Sequence, residues 1–202
     1  MQGRETLLRA ARELMVERGF PRVTVREVAK RAGVGPALVN YYFGGKSDLF
    51  AAIIEQVALE TRERLERVKQ QSGPITERIR GFVREFVDAM AADPYLPRLL
   101  AEQVLFADDE VIDRFARELA APNLAAIRNL LTEGIASGEL REVDPKFAVP
   151  SMVGACLYFF LAARLVCRLF GLEKITPALA DDFAESTADL ILQGLLLRTS
   201  TT

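Results

Sequence analysis

The chain contains no histidine, no tryptophan and only two cysteines among its 202 residues. Without histidine, Ser-His-Asp and Cys-His nucleophile arrangements and imidazole metal sites are excluded. The two cysteines, Cys156 and Cys167, cannot make a disulfide framework, and we expect both to be small, buried apolar residues, with a redox-sensing pair across a dimer as the alternative. We therefore predict a protein that is not an enzyme and that uses no cofactor and no metal.

An excess of charge of either sign is also missing, since 26 Lys and Arg oppose 28 Asp and Glu for a net charge of −2. The distribution is uneven, however. Residues 1–46 hold nine Lys or Arg and four Glu, a net charge of +5, whereas residues 47–202 carry −7. A basic head over residues 1–46 and an acidic body over residues 47–202 predict a DNA-binding domain followed by a domain for another partner. The alternative is a basic segment that is only a solvated face.

Long hydrophobic runs are scarce. The longest uncharged run covers residues 147–163, which is 17 residues. A bilayer-spanning helix needs about 20, and Pro150, Ser151 and Gly154 interrupt this run. We expect a buried helix here and no membrane partner. The first residues have no apolar signal-peptide core, so we expect a cytoplasmic protein.

The alternation of apolar and polar residues that marks strands is absent, and apolar residues recur at helical spacing along nearly the whole chain. We predict an all-α fold of about nine helices, with an N-terminal three-helix DNA-binding domain and a C-terminal helical domain. Glycine and proline punctuate the pattern. The first predicted helix ends at Gly19, and the next three run from Thr24 to Gly33, from Pro36 to Phe43 and from Lys46 past Leu59. The others cover residues 75–90, 95–106, 110–137 with a break at Pro122, 145–170 and 177–197.

The second and third predicted helices have the form of a helix-turn-helix. The run Thr24-Val25-Arg26-Glu27 matches a capping box, which starts a helix. Gly33-Val34-Gly35 then provides a tight turn before Pro36 opens a short helix. Such a unit lays its second helix in the major groove of DNA. An ordinary helical hairpin whose tyrosines pack into a core is the alternative.

The second helix of this unit offers side chains suited to DNA. Small Gly35, Pro36 and Ala37 would let the helix start approach the bases closely. Asn40, one turn later, has an amide that could pair with a base edge, most naturally adenine. Five further residues are predicted to reach phosphates or to fix the register: Tyr41, Tyr42, Lys46, Thr24 and Arg26.

Residues 24–34, TVREVAKRAGV, together with Leu38, Tyr42-Phe43, Lys46 and Leu49-Phe50, resemble the DNA-binding domain of the TetR family of transcriptional regulators. The resemblance covers roughly residues 4–55. It implies a homodimer of all-helical subunits, usually a repressor of an operator in double-stranded DNA. It also implies that the body, residues 47–202, binds an effector that moves the heads apart. Asn40 departs from the family, in which tyrosine is more frequent at that position, and this affects the base sequence recognised.

The resemblance further implies that two long C-terminal helices form the dimer interface. The alternative is that their apolar residues only build the core of the monomer. The candidate interface residues are Val153, Leu157, Phe160 and Leu161 on one helix and Leu190, Leu192, Leu195 and Leu196 on the other.

In the family the effector pocket lies within the body, between its middle helices. A lining rich in Phe favours a hydrophobic effector such as a fatty acid, an acyl thioester or a lipophilic drug. The same residues would also fill a helical bundle that has no cavity. The candidate lining residues are Phe82, Phe86, Met90, Leu100, Gln103, Phe106, Ile127 and Phe159.

Arg164 and Arg168 follow the uncharged run of residues 147–163. Either could pair with a carboxylate or phosphate of an otherwise apolar effector, because an arginine is costly to bury alone. The alternative is that they pair with nearby acids or reach solvent. The leading hypothesis is a TetR-like repressor released from a near-palindromic operator by a hydrophobic small molecule. A helical protein–protein adaptor and a small all-α enzyme are the rivals.

Overall fold

The computed structural model describes residues 2–19, 22–106 and 109–197. These residues form helices and no strand, and their single β-bridge joins Leu140 and Leu196. The predicted all-α class is therefore confirmed. The helices are α1 (Gln2–Arg18), α2 (Val25–Ala32), α3 (Pro36–Phe43), α4 (Lys46–Gln70), α5 (Ile75–Ala92), α6 (Leu96–Phe106), α7 (Asp109–Phe115), α8 (Ala121–Ala136), α9 (Pro145–Leu161), α10 (Ala163–Phe170) and α11 (Pro177–Leu195).

Helices α7 and α8 are joined by a π-helical turn, Ala116–Ala120. The sequence predicts one helix over residues 110–137 with a break at Pro122. The chain instead stays helical through this region, and Pro122 lies in the first turn of α8. Proline lacks the N–H that a continuous α-helix would use and clashes with the carbonyl one turn earlier, so the wider π turn accommodates it.

The predicted helix over residues 145–170 is divided at Ala162, where the backbone leaves helical geometry at φ −92° and ψ 15°. Helices α9 and α10 meet there at an angle of 70°. The division is one reason why the helix count exceeds the nine predicted. Among the described residues, no single helix is long and apolar enough to cross a membrane, and only the bent pair α9 and α10 meets that test together.

The chain divides into two compact units. The first unit comprises Met1–Glu60 and Pro94–Leu119, and the second comprises Thr61–Asp93 and Ala120–Thr202. The first unit thus holds α6 and α7 in addition to the basic head. The functional division at residue 46 stays a prediction.

Each unit has its own apolar core. In the first, α1, α2, α3 and α4 bury one face each, and Leu7, Val28, Val39 and Ile53 have no accessible surface. In the second, α5 packs against α8, α9 and α11 around a cluster that includes Ile79. Burying a side chain of this size contributes about 1.5–3 kcal/mol, so these faces determine how the helices pack.

Candidate nucleic-acid interface

The start of α2 is fixed by the capping box that the sequence predicts. The Thr24 hydroxyl accepts the backbone N–H of Glu27 at 3.3 Å. The Glu27 carboxylate in turn accepts the N–H of Thr24 at 3.0 Å and its hydroxyl at 2.8 Å. These bonds from Thr24, and the charge of Arg18 at 2.7 Å, hold the pKa of Glu27 below its usual range. Arg26, in the first turn of α2, is exposed.

A three-residue turn connects α2 to α3. Gly33 caps α2 in the left-handed region at φ 71°, where a residue with a Cβ would be strained. Val34 donates its N–H to the carbonyl of Ala29 at 2.9 Å. Gly35 returns to extended backbone, and Pro36 is the first helical residue of α3. The two helices and this turn form a helix-turn-helix.

Helix α3 divides into a buried face and an exposed face. Val39 and Phe43, one turn apart, are buried in the first unit at 0% and 6% exposure. The opposite face carries small residues at the helix start and polar ones a turn later. Its exposed members are Pro36, Ala37, Asn40 and Tyr41, and the last of these is 79% exposed. Since residues three and four apart share a helix face, Ala37, Asn40 and Tyr41 project together.

Tyr42 lies at the edge of this face and packs against α1. Its ring is so close to Gly3 that a Cβ there would lie 3.2 Å from the hydroxyl oxygen. Its ring also meets that of Tyr41 edge to face at 5.2 Å. The half-buried Tyr42 therefore positions α3 on α1.

Ion pairs within the head remove most of its negative charge. Arg31 binds Glu17 at 2.9 Å and Glu13 at 3.4 Å, and Arg18 binds Glu27. Three of the four acids of residues 1–46 are thereby engaged. Arg26 is exposed and forms no ion pair with a described residue. The charge of exposed Arg26 is therefore available to an outside partner.

Two cationic residues, Arg4 and Lys46, lie near the end of α3. Lys46, the first residue of α4, is half-buried, and burial lowers its pKa. The guanidinium of Arg4 lies 5.3 Å from the ring centre of Phe43, the last residue of α3. Sequence analysis predicted Lys46 and missed Arg4, because only packing brings the start of α1 to the end of α3.

Several of the predicted effector residues lie in the core of the second unit. Ile127 has no accessible surface and lies in the core cluster of the second unit, and its contact with an effector stays a prediction. Phe82 belongs to the same buried cluster at 4% exposure, and Met90 is equally buried. Phe86 packs against this cluster and also against a second buried cluster of the same unit, which includes Val87 and Ala184.

Of the other effector candidates, Leu100 belongs to the first unit and Phe159 to the second. Leu100 is half-buried in the first unit, and the side chains of Gln103 and Phe106 lie outside the described part of the chain. Phe159 stacks on Phe183 with ring centres 4.0 Å apart. Arg164 and Arg168 are both exposed in the protomer, and their contact with an effector stays a prediction.

The dimer candidates also divide between core and surface. Leu192 and Leu195 are buried at 3% and 5% exposure in the core of the second unit, and their place in a dimer interface stays a prediction. Val153 and Phe160 pack against that unit's clusters, and Leu157 is half-buried. Leu161, Leu190 and Leu196 are exposed.

Helix α9 has an outward stripe that sequence analysis missed. Its inward residues are Val149, Met152 and Cys156. Five exposed, uncharged residues recur every three or four positions, and exposed Lys146 adjoins the first of them. We call this set the α9 stripe: Phe147, Ser151, Gly154, Tyr158 and Leu161.

The second unit also contains an open cleft of about 500 Å³ between residues 141–144, the start of α9 and the end of α11. Phe147, Met152 and Leu190 lie along it. Arg141 closes one side by donating from Nε to the carbonyl of Gly194 at 2.6 Å. None of the predicted effector residues lines this cleft.

The helix-turn-helix, its exposed face and the surrounding positive charge define a DNA-binding protein of the helix-turn-helix class. Residues 7–53 match the family model described as bacterial regulatory proteins of the tetR family, and residues 74–200 match the tetracyclin repressor-like C-terminal domain. The chain belongs to the TetR family and is a DNA-binding transcriptional regulator.

Relatives of known sequence and structure agree with this assignment. The regulator BetI of Rhizobium meliloti is 28% identical over 164 residues, covering 75% of this chain and 79% of BetI. The fatty acid metabolism regulator protein of Bacillus subtilis is 25% identical over 149 residues, 73% of this chain and 76% of that protein. The crystal structure of FadR from Bacillus subtilis with stearoyl-CoA has the same fold, with a TM-score of 0.78 at 22% identity over 94% of this chain and 98% of that one.

Proposed function

We propose that this regulator is a cytoplasmic repressor that binds a near-palindromic operator as a homodimer and is released by a hydrophobic small molecule. The observation that carries the DNA contact is the exposed face of α3. Gly35 has open space around it, and Pro36 and Ala37 add little bulk, so the helix start can approach base edges. The Asn40 amide, exposed on the same face, can donate to and accept from adenine.

Around this face, the proposed phosphate contacts come from several elements of the first unit. Half or more of the hydrogen bonds in protein–DNA interfaces go to the backbone, and they set the register of the reading helix. The cations can pair with phosphates, and the hydroxyls can donate to them. The proposed residues are Thr24 and Arg26 on α2, Tyr41 and Tyr42 on α3, Lys46 on α4, and Arg4 on α1.

The proposed homodimer rests on the α9 stripe and on α11. Phe147, Tyr158 and Leu190 are 73%, 62% and 69% exposed, a large apolar area for a protomer to leave in water. A Cβ added at Gly154 or Gly194 would meet nothing, so a second helix can approach closely at both positions. A two-fold dimer presents two copies of α3, which is why the proposed operator is near-palindromic.

A hydrophobic effector is supported by the aromatic cluster between α9 and α11. Phe159 and Phe160 surround Phe183, with ring centres 4.0 Å and 6.0 Å away. The similarity to a fatty acid metabolism regulator and to a fold that holds stearoyl-CoA favours a long-chain acyl thioester. Such an effector lowers DNA affinity by the difference between its affinities for the two states of the dimer. Release of the operator by stearoyl-CoA, but not by free CoA, tests this class.

Replacing Lys46 with alanine should weaken binding to every duplex, whatever its sequence. A phosphate contact carries no base information, so the plot of log affinity against log salt should become shallower by about one unit. Fluorescence anisotropy with operator and random duplexes across a salt series measures both effects. Since Lys46 is half-buried, thermal unfolding of the variant is measured alongside.

Lys69→Ala is the matched control, because Lys69 is an exposed lysine at the other end of the same helix, α4. Its removal should leave both the affinity and the salt slope unchanged. An unaltered slope for Lys46→Ala in a folded protein would contradict the phosphate contact.

Replacing Asn40 with alanine should relax base preference at one position of each half-site. Loss of a paired amide removes about 1–3 kcal/mol of discrimination against the wrong base. Selection of binding sites from a random duplex library shows the change as one degenerate position per half-site. A site profile identical to that of the wild type would refute the role of Asn40.

A further inference from the structure

Helix α10 exposes a surface that combines leucine with arginine. Leu165 and Leu169 are one turn apart on it and are 52% and 69% exposed, and Leu161, just before the bend between α9 and α10, is 48% exposed. Arg164 and Arg168 lie on the same helix, α10, and are also exposed. No residue of α10 is buried, and the helix contains no acid. A partner for this surface must offer apolar contact together with negative charge.

Helix α11 has the opposite charge. It contains four acids and no Lys or Arg. Asp189 is engaged by Arg80 in the second half of the helix. Asp181, Asp182 and Glu185 lie nearer its start, and all three are exposed. Neither these three acids nor the two arginines of α10 form an ion pair with any residue in the described ranges.

The negative charge at the start of α11 is also in excess within the protomer. Asp88, on the neighbouring helix α5, has its pKa raised by burial and next by the charge of Asp181. Glu85 contributes in the same direction, and Arg84 and Arg64 oppose it. A cation supplied from outside would relieve this repulsion.

The spacing of the two charged sets matches. Arg164 and Arg168 are one turn apart on α10, and Asp181 and Glu185 are one turn apart on α11, so each pair spans about 6 Å along its helix. One chain carries both halves of a complementary surface. In a two-fold dimer such halves meet twice, because each protomer supplies one half to its partner at each contact.

We propose that α10 packs on the start of α11 of a second copy of this chain, with Arg164 and Arg168 paired to the partner's Asp181 and the partner's Glu185. We call this contact the ionic clasp. It rests on the proposed homodimer and goes further, because it names the charges that select an identical chain as partner. Apolar faces bind with little discrimination, whereas mismatched charges at a rim exclude wrong partners.

Charge reversal tests the ionic clasp. In the arginine-reversed variant, Arg164→Glu is combined with Arg168→Glu. In the acid-reversed variant, Asp181→Arg is combined with Glu185→Arg. Each doubly reversed protein should have a dimer dissociation constant raised by about tenfold or more, because like charges then face each other at both symmetric contacts. An equimolar mixture of the two should form heterodimers with an affinity near that of the wild type. Sedimentation equilibrium measures the constants, and native mass spectrometry identifies the heterodimer.

Arg62→Glu with Arg128→Glu is the matched control, because both arginines are exposed in the second unit and form no ion pair with a described residue. This control should dimerise as the wild type does. Circular dichroism and thermal unfolding verify that each variant is folded. If a reversed protein fails to fold, the charge-neutral variants Arg164→Gln with Arg168→Gln replace it and should weaken the dimer less.

The outcomes separate the ionic clasp from the homodimer. Reversed proteins that dimerise as tightly as the wild type would overturn the clasp and leave the homodimer in place. A wild type that is monomeric at micromolar concentration would overturn both. If the arginine-reversed variant loses binding to phosphatidylserine vesicles while its dimerisation is unchanged, α10 would be assigned to an anionic membrane surface, and the clasp would again be overturned.

Discussion

Replacing Ala37 with glutamate should weaken operator binding by at least about 100-fold while leaving the protein folded. Ala37 is exposed on α3, on the face that also carries Asn40 and Tyr41, so the longer side chain fits the free protein. In the complex it would hold the start of α3 away from the bases and place a carboxylate among acceptors and phosphates. Loss of one good base contact costs about 1–3 kcal/mol, and the repulsion adds to that loss.

Ala91→Glu is the matched control for this substitution, because Ala91 is an exposed alanine near the end of α5 in the second unit. The control should bind the operator as the wild type does. Anisotropy titrations at fixed salt measure both affinities. Operator affinity of Ala37→Glu within a few-fold of wild type would show that α3 does not enter the major groove.

Replacing Tyr158 with glutamate should raise the dimer dissociation constant by at least about 100-fold. Tyr158 is 62% exposed on the α9 stripe, so the protomer loses little packing. In a two-fold interface one substitution introduces two charges, which face each other in an apolar environment that does not solvate them. Operator affinity should fall as well, since a monomer engages only one half-site and loses the gain from linked binding.

Leu124→Glu tests whether any exposed apolar residue would give the same result. Leu124 is 41% exposed on α8, in the same unit as Tyr158 but outside the α9 stripe. This variant should remain dimeric in sedimentation and bind the operator normally. A Tyr158→Glu protein that stays dimeric would contradict the proposed interface.

The helix-turn-helix was predictable because its determinants are local in the chain. A capping box at Thr24, the left-handed Gly33 and the proline at the start of α3 each specify backbone geometry within four residues. The exposed face of α3 follows from the same information, since Val39 and Phe43 are the apolar pair one turn apart. Arg4 was beyond prediction because its position beside Phe43 depends on how α1 packs against α3.

The register of α9 could not be predicted for a different reason. Residues 147–163 are uncharged on every side, so hydrophobicity does not distinguish the inward face from the outward one. The structure turns Val149, Met152 and Cys156 inward, and this leaves Tyr158 on the stripe. The division at Ala162 has no glycine or proline to indicate it. The acidity of the Cys156 thiol also depends on this register, since burial raises its pKa to about 12.

The effector-binding residues could not be identified from amino-acid composition. An apolar side chain that fills a core and one that lines a pocket have the same sequence signature. Ile127 proved to be a core residue without accessible surface, and Leu100 lies in the other unit. Arg164 and Arg168 follow an apolar run, and their exposure leaves them available for the proposed dimer contact.

A salt titration of duplex binding tests the central claim most directly. The protein is titrated with a duplex from the region upstream of its own gene and with a random duplex, from about 50 to 200 mM salt. If six or more phosphates are neutralised by the dimer, affinity should fall by about 10³-fold or more over this range, with the upstream duplex bound more tightly throughout. The absence of salt-sensitive binding to any duplex would contradict the account.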